Sequence, residues 1–268
     1  MAGLDGKIAL VTGASRGIGT AIAQRLAMDG ATVAVSARTL NAGESRFEGS
    51  ISETVDLIRR EGGTAIAIAA DLSKPDQRTR LLEETERELG PIDVLVNNAA
   101  VTWFEPVAEF KESHYDLMFE VQVKAAFQMS QHVLEGMRAR GSGAILNISS
   151  RGAIHPAGPP YEGGRGGTVY GMCKAALERF TTGLASEVWA DGIAVNVLSP
   201  TKGVLTPGVI HHKLVKPGTE AERTEGVEVI AEAAHALVTG DPKERTGIIG
   251  YSQEIVERFG LTPTPIPV

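Results

Sequence analysis

The sequence predicts an α/β fold: a doubly wound parallel β-sheet of about seven strands with helices on both faces. Three observations carry that expectation. Short β-rich runs recur between longer segments of helical periodicity. Most of these runs are apolar on both faces, as strands covered on both sides of a parallel sheet are. The first run also passes into an amphipathic segment through a glycine-rich turn. Right-handed crossovers leave few topologies for such an alternation, the Rossmann type foremost.

The expected strands are Lys7–Val11, Thr32–Ala37, Thr64–Ala70, Asp93–Asn97, Ala144–Ser149, Ile193–Leu198 and Gly247–Tyr251. Between the first two, Ile18, Ile22 and Leu26 form an i, i+4, i+8 stripe, so Ile18–Asp29 reads as a helix that Gly30 can end. Helices are also expected over Ile51–Arg60, Pro75–Leu89, Glu112–Arg140, Val169–Ala190 and Val229–Leu237, with Pro75 in a first turn, where proline is tolerated. Leu40–Ser50, Gly152–Gly167 and Thr201–Gly226 read as long loops, of the kind that serve as lids or binding segments. Leu40–Ser50 reads equally well as a mobile surface insertion. The tail Leu261–Val268, with three prolines, should be extended. No interdomain linker or repeat interrupts the pattern, so residues 1–268 are expected to form one dinucleotide-binding and catalytic domain.

Composition excludes several functions. Lys+Arg 26 against Asp+Glu 33 gives a formal charge of −7, which argues against non-specific nucleic-acid or membrane binding and leaves room only for a local basic pocket. The single cysteine, Cys173, forbids an intramolecular disulfide framework and suits a reducing compartment. The N-terminus lacks a signal-peptide pattern, and no apolar run reaches the roughly 20 residues of a membrane span, so a cytoplasmic protein is expected. His211 and His212 are adjacent and the other four histidines are scattered, so no metal site is expected.

The turn Thr12-Gly13-Ala14-Ser15-Arg16-Gly17-Ile18-Gly19 has the spacing G-x3-G-x-G between a buried strand and an amphipathic helix. Such a turn lets backbone N–H groups and the helix N-terminus face a pyrophosphate, although alone it could be only a tight connection. Two more motifs lie downstream. Asn97-Asn98-Ala99-Ala100 follows the fourth strand, and Tyr170-Gly171-Met172-Cys173-Lys174 places Tyr and Lys at i and i+4 on one helix face, after a strand ending Ser149-Ser150. In this order and spacing, from about Lys7 to Ser199, the chain resembles the single-domain branch of the short-chain dehydrogenase/reductase family.

The resemblance implies a nicotinamide cofactor held by Gly13, Ser15, Arg16, Gly17, Ile18 and Gly19. It implies that Asp71 and Leu72 flank the adenine, that Asn98 and Ala99 approach a ribose, and that Pro200 and Val204 frame the nicotinamide amide. Asn97 reads as either a cofactor neighbour or a bond between strands. The position that selects the cofactor falls on Ala37, where an acid would bind a ribose 2′-hydroxyl and repel a 2′-phosphate. Arg38 and Arg16 could both reach that phosphate, so NADP(H) is preferred and NAD(H) is left open.

Ser150, Tyr170 and Lys174 match the family's catalytic set, with Ser150 chosen over Ser149 by motif register. A carbonyl that accepts hydride on carbon needs a proton on oxygen, which a phenol can give and a phenolate take back. The ordinary tyrosine pKa, about 10, must fall by roughly 3 units, or about 4 kcal/mol, for that base to work near neutrality. One cation at about 4 Å supplies that order of energy, and Lys174 and an oxidised nicotinamide are the expected sources. Lys174 should also hold the nicotinamide ribose, and Ser150 the substrate oxygen. Tyr161 competes for the tyrosine role but has Arg165 at i+4, which cannot relay protons usefully.

The chain departs from the family pattern in places. Gln122 stands where a catalytic Asn is usual, and could keep or break a water relay from Lys174. Thr201 stands where Gly usually follows Pro, with one residue apparently inserted, and Thr206 could touch the diphosphate. The expected activity is an NADP(H)-dependent oxidoreductase acting on a small-molecule carbonyl or alcohol. Its alternative is a catalytically inactive nucleotide-binding scaffold. A sugar-nucleotide epimerase would need a longer chain. The resemblance also implies a homodimer or homotetramer packed through the long helices. Substrate identity and direction are not written in these residues.

Overall fold

Ile8–Thr12, Thr32–Ala37 and Thr64–Ala69 form β1, β2 and β3, and Val94–Asn97, Gly143–Ile148, Ile193–Ser199 and Ile249–Tyr251 form β4 to β7. The computed structural model describes residues 3–159, 161, 166–212, 215 and 218–267. Each expected strand is present, its ends displaced by two residues at most. The seven strands form one parallel sheet in the order β3-β2-β1-β4-β5-β6-β7.

Both faces of the sheet are covered, which is why β1 and β6 are buried throughout. Alternate residues serve opposite layers. Leu10, Leu95, Ile145 and Val195 join a core with Leu81, Met129 and Leu184, from α3 (Pro75–Leu89), α5 (Ala125–Arg140) and α6 (Thr168–Val188). Val11, Val96, Leu146 and Ala194 join the other core with Ile22 and Leu26 of α1 (Gly17–Met28), Ile58 of α2 (Ile51–Arg60) and Leu237 of α9 (Val227–Val238). Burying a side chain such as Leu26 contributes about 1.5–3 kcal/mol. Arg25 of α1 bonds Glu232 of α9 at 2.8 and 3.1 Å, while His235 lies 2.9 Å from Asp29. The tail Leu261–Pro267 has no regular structure, and its Thr264 N–H bonds the same Glu232.

Three segments differ from the sequence expectation. Glu112–Arg140 is not one uniform helix: α4 (Glu112–Phe119) passes through a π-helical turn, Glu120–Lys124, into α5. The wider turn coincides with Glu120 accepting from buried Arg78 at 2.8 Å and Gln122 bonding inward. The end of Val169–Ala190 tightens after Val188 into a 3₁₀ turn, Trp189–Asp191. Thr201–Gly226 is not wholly loop. It holds α7 (Pro207–His211) and α8 (Glu220–Arg223), with Gly203 paired to Thr224. Thr206 caps α7 by accepting from Val209 N–H at 3.2 Å, and Pro207 occupies the first turn. A further short helix, α10 (Ser252–Arg258), follows β7. Among the described residues, no helix is long and apolar enough to cross a membrane, and no cluster of metal-ligating side chains exists.

Candidate active site

Strand order reverses between β1 and β4, and the cleft at such a point is where open α/β sheets bind ligands. The glycine-rich turn leaves β1 on one side of it. Gly13 sits at φ 64° and Gly17 at φ 57°, conformations that favour glycine. A Cβ on Gly13 would stand 2.7 Å from Ala99 Cα, and one on Gly17 2.6 Å from Thr206 Cγ2. Gly19 is buried against Asn98 and the Gly13 backbone. Ser15 is buried, and Ile18 packs against the α1 core.

Asn98 locks this turn from β4. Its Nδ2 donates to Thr12 O at 2.9 Å and Gly13 O at 3.0 Å, while Asn98 and Ala99 N–H groups both donate to Thr12 Oγ1. The Asn98 amide nitrogen therefore serves the turn itself, a role the sequence reading did not assign. Asn97 joins strands: its Nδ2 donates to Asn147 Oδ1 at 2.9 Å, and Asn147 donates to Thr181.

At the end of β2, Arg16 donates from Nη2 to Gly49 O at 2.9 Å and to Thr39 Oγ1 at 3.4 Å. Arg38 is exposed beside it. Burial, and then the positive charge of Arg38, lower the pKa of Arg16, partly opposed by Glu53. After β3, Asp71 accepts the Ser73 N–H at 3.0 Å, and the carbonyl of buried Leu72 accepts from Arg78.

Ser150, Tyr170 and Lys174 are brought together. Ser150 follows β5 and caps a 3₁₀ turn, Arg151–Ala153, accepting from Gly152 N–H at 3.1 Å. A Cβ on Gly152 would meet the Tyr170 ring at 3.1 Å, so the turn lies flat against it. The Ser150 hydroxyl lies near enough to the Tyr170 phenol to lower its pKa. Lys174, one helical turn on, is buried, donates to Ile148 O at 2.9 Å and lies 5.6 Å from the Tyr170 ring centroid. Burial pulls Lys174 down to about 8, against upward pushes from Cys173 and Glu178. Tyr170 goes the other way from the sequence expectation: burial raises its pKa, and the nearby Ser150 hydroxyl only partly compensates. Cys173 is buried and pushed up to about 11, which makes it a packing residue and not a reactive thiol. Glu178, absent from the sequence reading, accepts from Ser149 Oγ at 2.8 Å.

Gln122 points inward from the π-helical turn. Its Nε2 donates to Val101 O at 2.8 Å, and its buried Oε1 has no partner among the described residues. A cavity the size of about one water molecule is lined by Gln122, Lys174, Ile148 and Leu72, among others.

The other wall is built of rings. Phe104 meets Tyr170 at 5.4 Å and His212 at 5.2 Å, both edge-on, and Trp103 stacks on His114 at 4.0 Å. Gly166 abuts the Phe104–Glu105 backbone. Pro200 leads from β6 into the segment that holds α7 and α8, where Val204 is buried. Lys202 is half-buried, and Thr201 N–H is bonded by Glu225 and Ser252. Tyr161 is 71% exposed, while Arg165 lies outside the described residues. The ring contacts left little trace in the sequence, because they join loop residues Trp103 and Phe104 to residues distant in sequence, His114, Tyr170 and His212. The Trp103-Phe104 pair was the one visible signal.

A seven-stranded parallel sheet, a glycine turn at its switch point and a Ser, Tyr and Lys cluster define a dinucleotide-dependent oxidoreductase. The family model described as short chain dehydrogenase matches residues 7–211, and the chain belongs to that family. An oxidoreductase of Methylorubrum extorquens is 38% identical, covering 94% of this chain and 92% of its own length. Two solved structures are also similar. A short chain dehydrogenase of Mycobacterium thermoresistibile has TM-score 0.82 at 29% identity, covering 96% of this chain and 89% of that one. A blue fluorescent protein from a metagenomic library, in complex with NADPH, has TM-score 0.77 at 32% identity, covering 93% and 96%. The protein is thus an NAD(P)-dependent short-chain dehydrogenase/reductase acting on CH–OH or C=O groups.

Proposed function

We propose that this chain is an NADP(H)-dependent reductase or dehydrogenase of a small-molecule carbonyl or alcohol, with Tyr170 as general acid and base. The observation that carries the reading is the packing of Tyr170 against Ser150 on one side and Lys174 on the other. The chain fits a dinucleotide: Gly13 and Gly17 form a cradle that a Cβ would fill, and Arg16 and Arg38 stand together at the end of β2. Gly13, Ser15, Gly17, Ile18 and Gly19 would hold the diphosphate, Asp71 and Leu72 the adenine, Ala99 a ribose, and Pro200 and Val204 the nicotinamide amide. When bound, the nicotinamide exchanges a hydride with the substrate carbon.

The remaining work falls to side chains. Ser150 orients the substrate oxygen and stabilises its developing charge. Tyr170 donates its phenolic proton to that oxygen, or takes one in the reverse direction. Lys174, held by Ile148 O, steadies the resulting phenolate. In the protein alone burial outweighs the pull of the Ser150 hydroxyl on the Tyr170 pKa, so the phenol would also need the positive charge that an oxidised nicotinamide supplies. Gln122 keeps a proton path from Lys174, through a water in the small cavity beside its Oε1. The whole chain acts as one domain, in the cytoplasm, as a homodimer or homotetramer. Exposed Phe127 and Met172, on α5 and α6, support that association.

The test follows nicotinamide absorbance with NADPH or NADH and a panel of ketones, aldehydes and quinones. NADPH oxidation well ahead of NADH supports the reading. A strong NADH preference removes the roles of Arg16 and Arg38.

A further inference from the structure

Leu40–Ser50 has no regular structure and is largely exposed, yet its Phe47 and Gly49 reach the glycine-rich turn. Gly49, at φ 95°, approaches the Ser15 carbonyl so closely that no side chain would fit between them. Its own carbonyl accepts from Arg16 Nη2. The Phe47 ring lies under the Arg16 guanidinium at 5.6 Å and under that of Arg46 at 4.7 Å. On a third side it meets the ring of His211, at the end of α7, edge-on at 5.2 Å. One ring therefore touches both the arginine beside the glycine turn and His211 at the end of α7.

The charges around that ring are unbalanced. Arg16 bonds only neutral oxygens, those of Ser15, Thr39 and Gly49. Neither Arg16, Arg38 nor Arg46 forms a salt bridge among the described residues. Glu53 is the carboxylate nearest in effect, and its Oε2 is held by Ser50 Oγ at 2.8 Å. With Nε and Nη2 engaged by neutral oxygens, Arg16 turns Nη1 to an incoming anion.

We propose that Phe47 is a positioning residue for cofactor selection: its ring fixes Arg16 at the end of β2, where a ribose 2′-phosphate is recognised. The proposal rests on the NADP(H) reading above. Without the ring, Arg16 keeps only its bonds to Ser15, Thr39 and Gly49 and must be ordered further at each binding event, and only the phosphorylated cofactor uses that order. A residue that merely packed the cleft would weaken both cofactors alike.

The experiment measures Kd for NADPH and NADH by nicotinamide fluorescence in wild type, Phe47→Ala, Phe47→Leu, Phe47→Tyr and Arg16→Ala. Phe47→Ala should weaken NADPH about 5- to 10-fold and NADH less than about twofold. Phe47→Tyr should restore the wild-type ratio. Phe47→Leu keeps the bulk without the π-face and should show the same selective loss, so it stands in if the alanine variant fails to fold. Equal weakening of both cofactors, or an unchanged ratio in Phe47→Leu, overturns the proposal. A wild type and Arg16→Ala that both ignore the 2′-phosphate would overturn the NADP(H) reading beneath it. Loss of discrimination in Arg16→Ala with full discrimination in Phe47→Leu would overturn the role of Phe47 alone.

Discussion

The two walls of the cleft are built differently. On the phosphate side, Asn98, Thr12 and Arg16 close the turn with directed hydrogen bonds between 2.9 and 3.4 Å. On the substrate side, Phe104, His212, Trp103 and His114 meet through ring contacts. Hydrogen bonds fix geometry closely, whereas ring contacts tolerate a change of shape. The first wall suits a cofactor that never varies. The second suits a site whose substrate is set by loops. Ser150, just beyond β5, and Tyr170 and Lys174, on α6, stand between them.

This contrast can be broken from the centre outwards. Lys174→Met should lower kcat by about 10²-fold or more, since it removes the group that supports the general acid. Wild-type kcat/KM should fall as pH rises through about 8, the value to which burial brings Lys174, and the variant should lose that limb. Stability gives an independent check. Folded Lys174 loses its proton near 8 and the unfolded chain near 10.5, so the unfolded state binds more protons in that window and stability rises with pH across it. Wild type should therefore gain up to roughly 3 kcal/mol relative to the methionine variant, which lacks this titration, as pH rises from about 8 to about 10.5 in urea titrations.

On the phosphate wall, Gly13→Ala forces a side chain into a left-handed conformation and against Ala99. It should weaken NADPH binding about tenfold or more and cost about 2–4 kcal/mol in denaturant unfolding. On the ring-built wall, Phe104→Ala should raise KM for the carbonyl substrate about tenfold and leave the NADPH Kd within about twofold. If both constants move together, the walls are not separable. Gln122→Asn should have the smallest effect, a change in kcat within about threefold, because it keeps an amide beside the same cavity.

Much of this architecture was legible in the sequence, for physical reasons. The seven runs were readable because strands covered on both faces stay mostly apolar, as Ile193–Ser199 does apart from Asn196 and Ser199. Gly13, Gly17, Tyr170 and Lys174 were readable because their spacing is local. The π-helical turn at Gln122 was hidden, since it accompanies partners distant in sequence, Arg78 and Val101. Helix α7 announced itself in Thr206-Pro207, a capping signal that the loop-like composition around it concealed. The rise in the Tyr170 pKa was equally hidden, because burial follows from the packed turn at Gly152 and from no motif.

The central claim is that Tyr170 carries the proton and does not hold the cofactor in place. Single-turnover reduction of a substrate found in the carbonyl panel, followed by NADPH absorbance in Tyr170→Phe, tests it most directly when NADPH Kd is measured on the same preparation. The account predicts a rate lower by about 10³-fold with Kd within about twofold of wild type. A variant that turns over within about tenfold of wild type, or that fails because NADPH no longer binds, would contradict it.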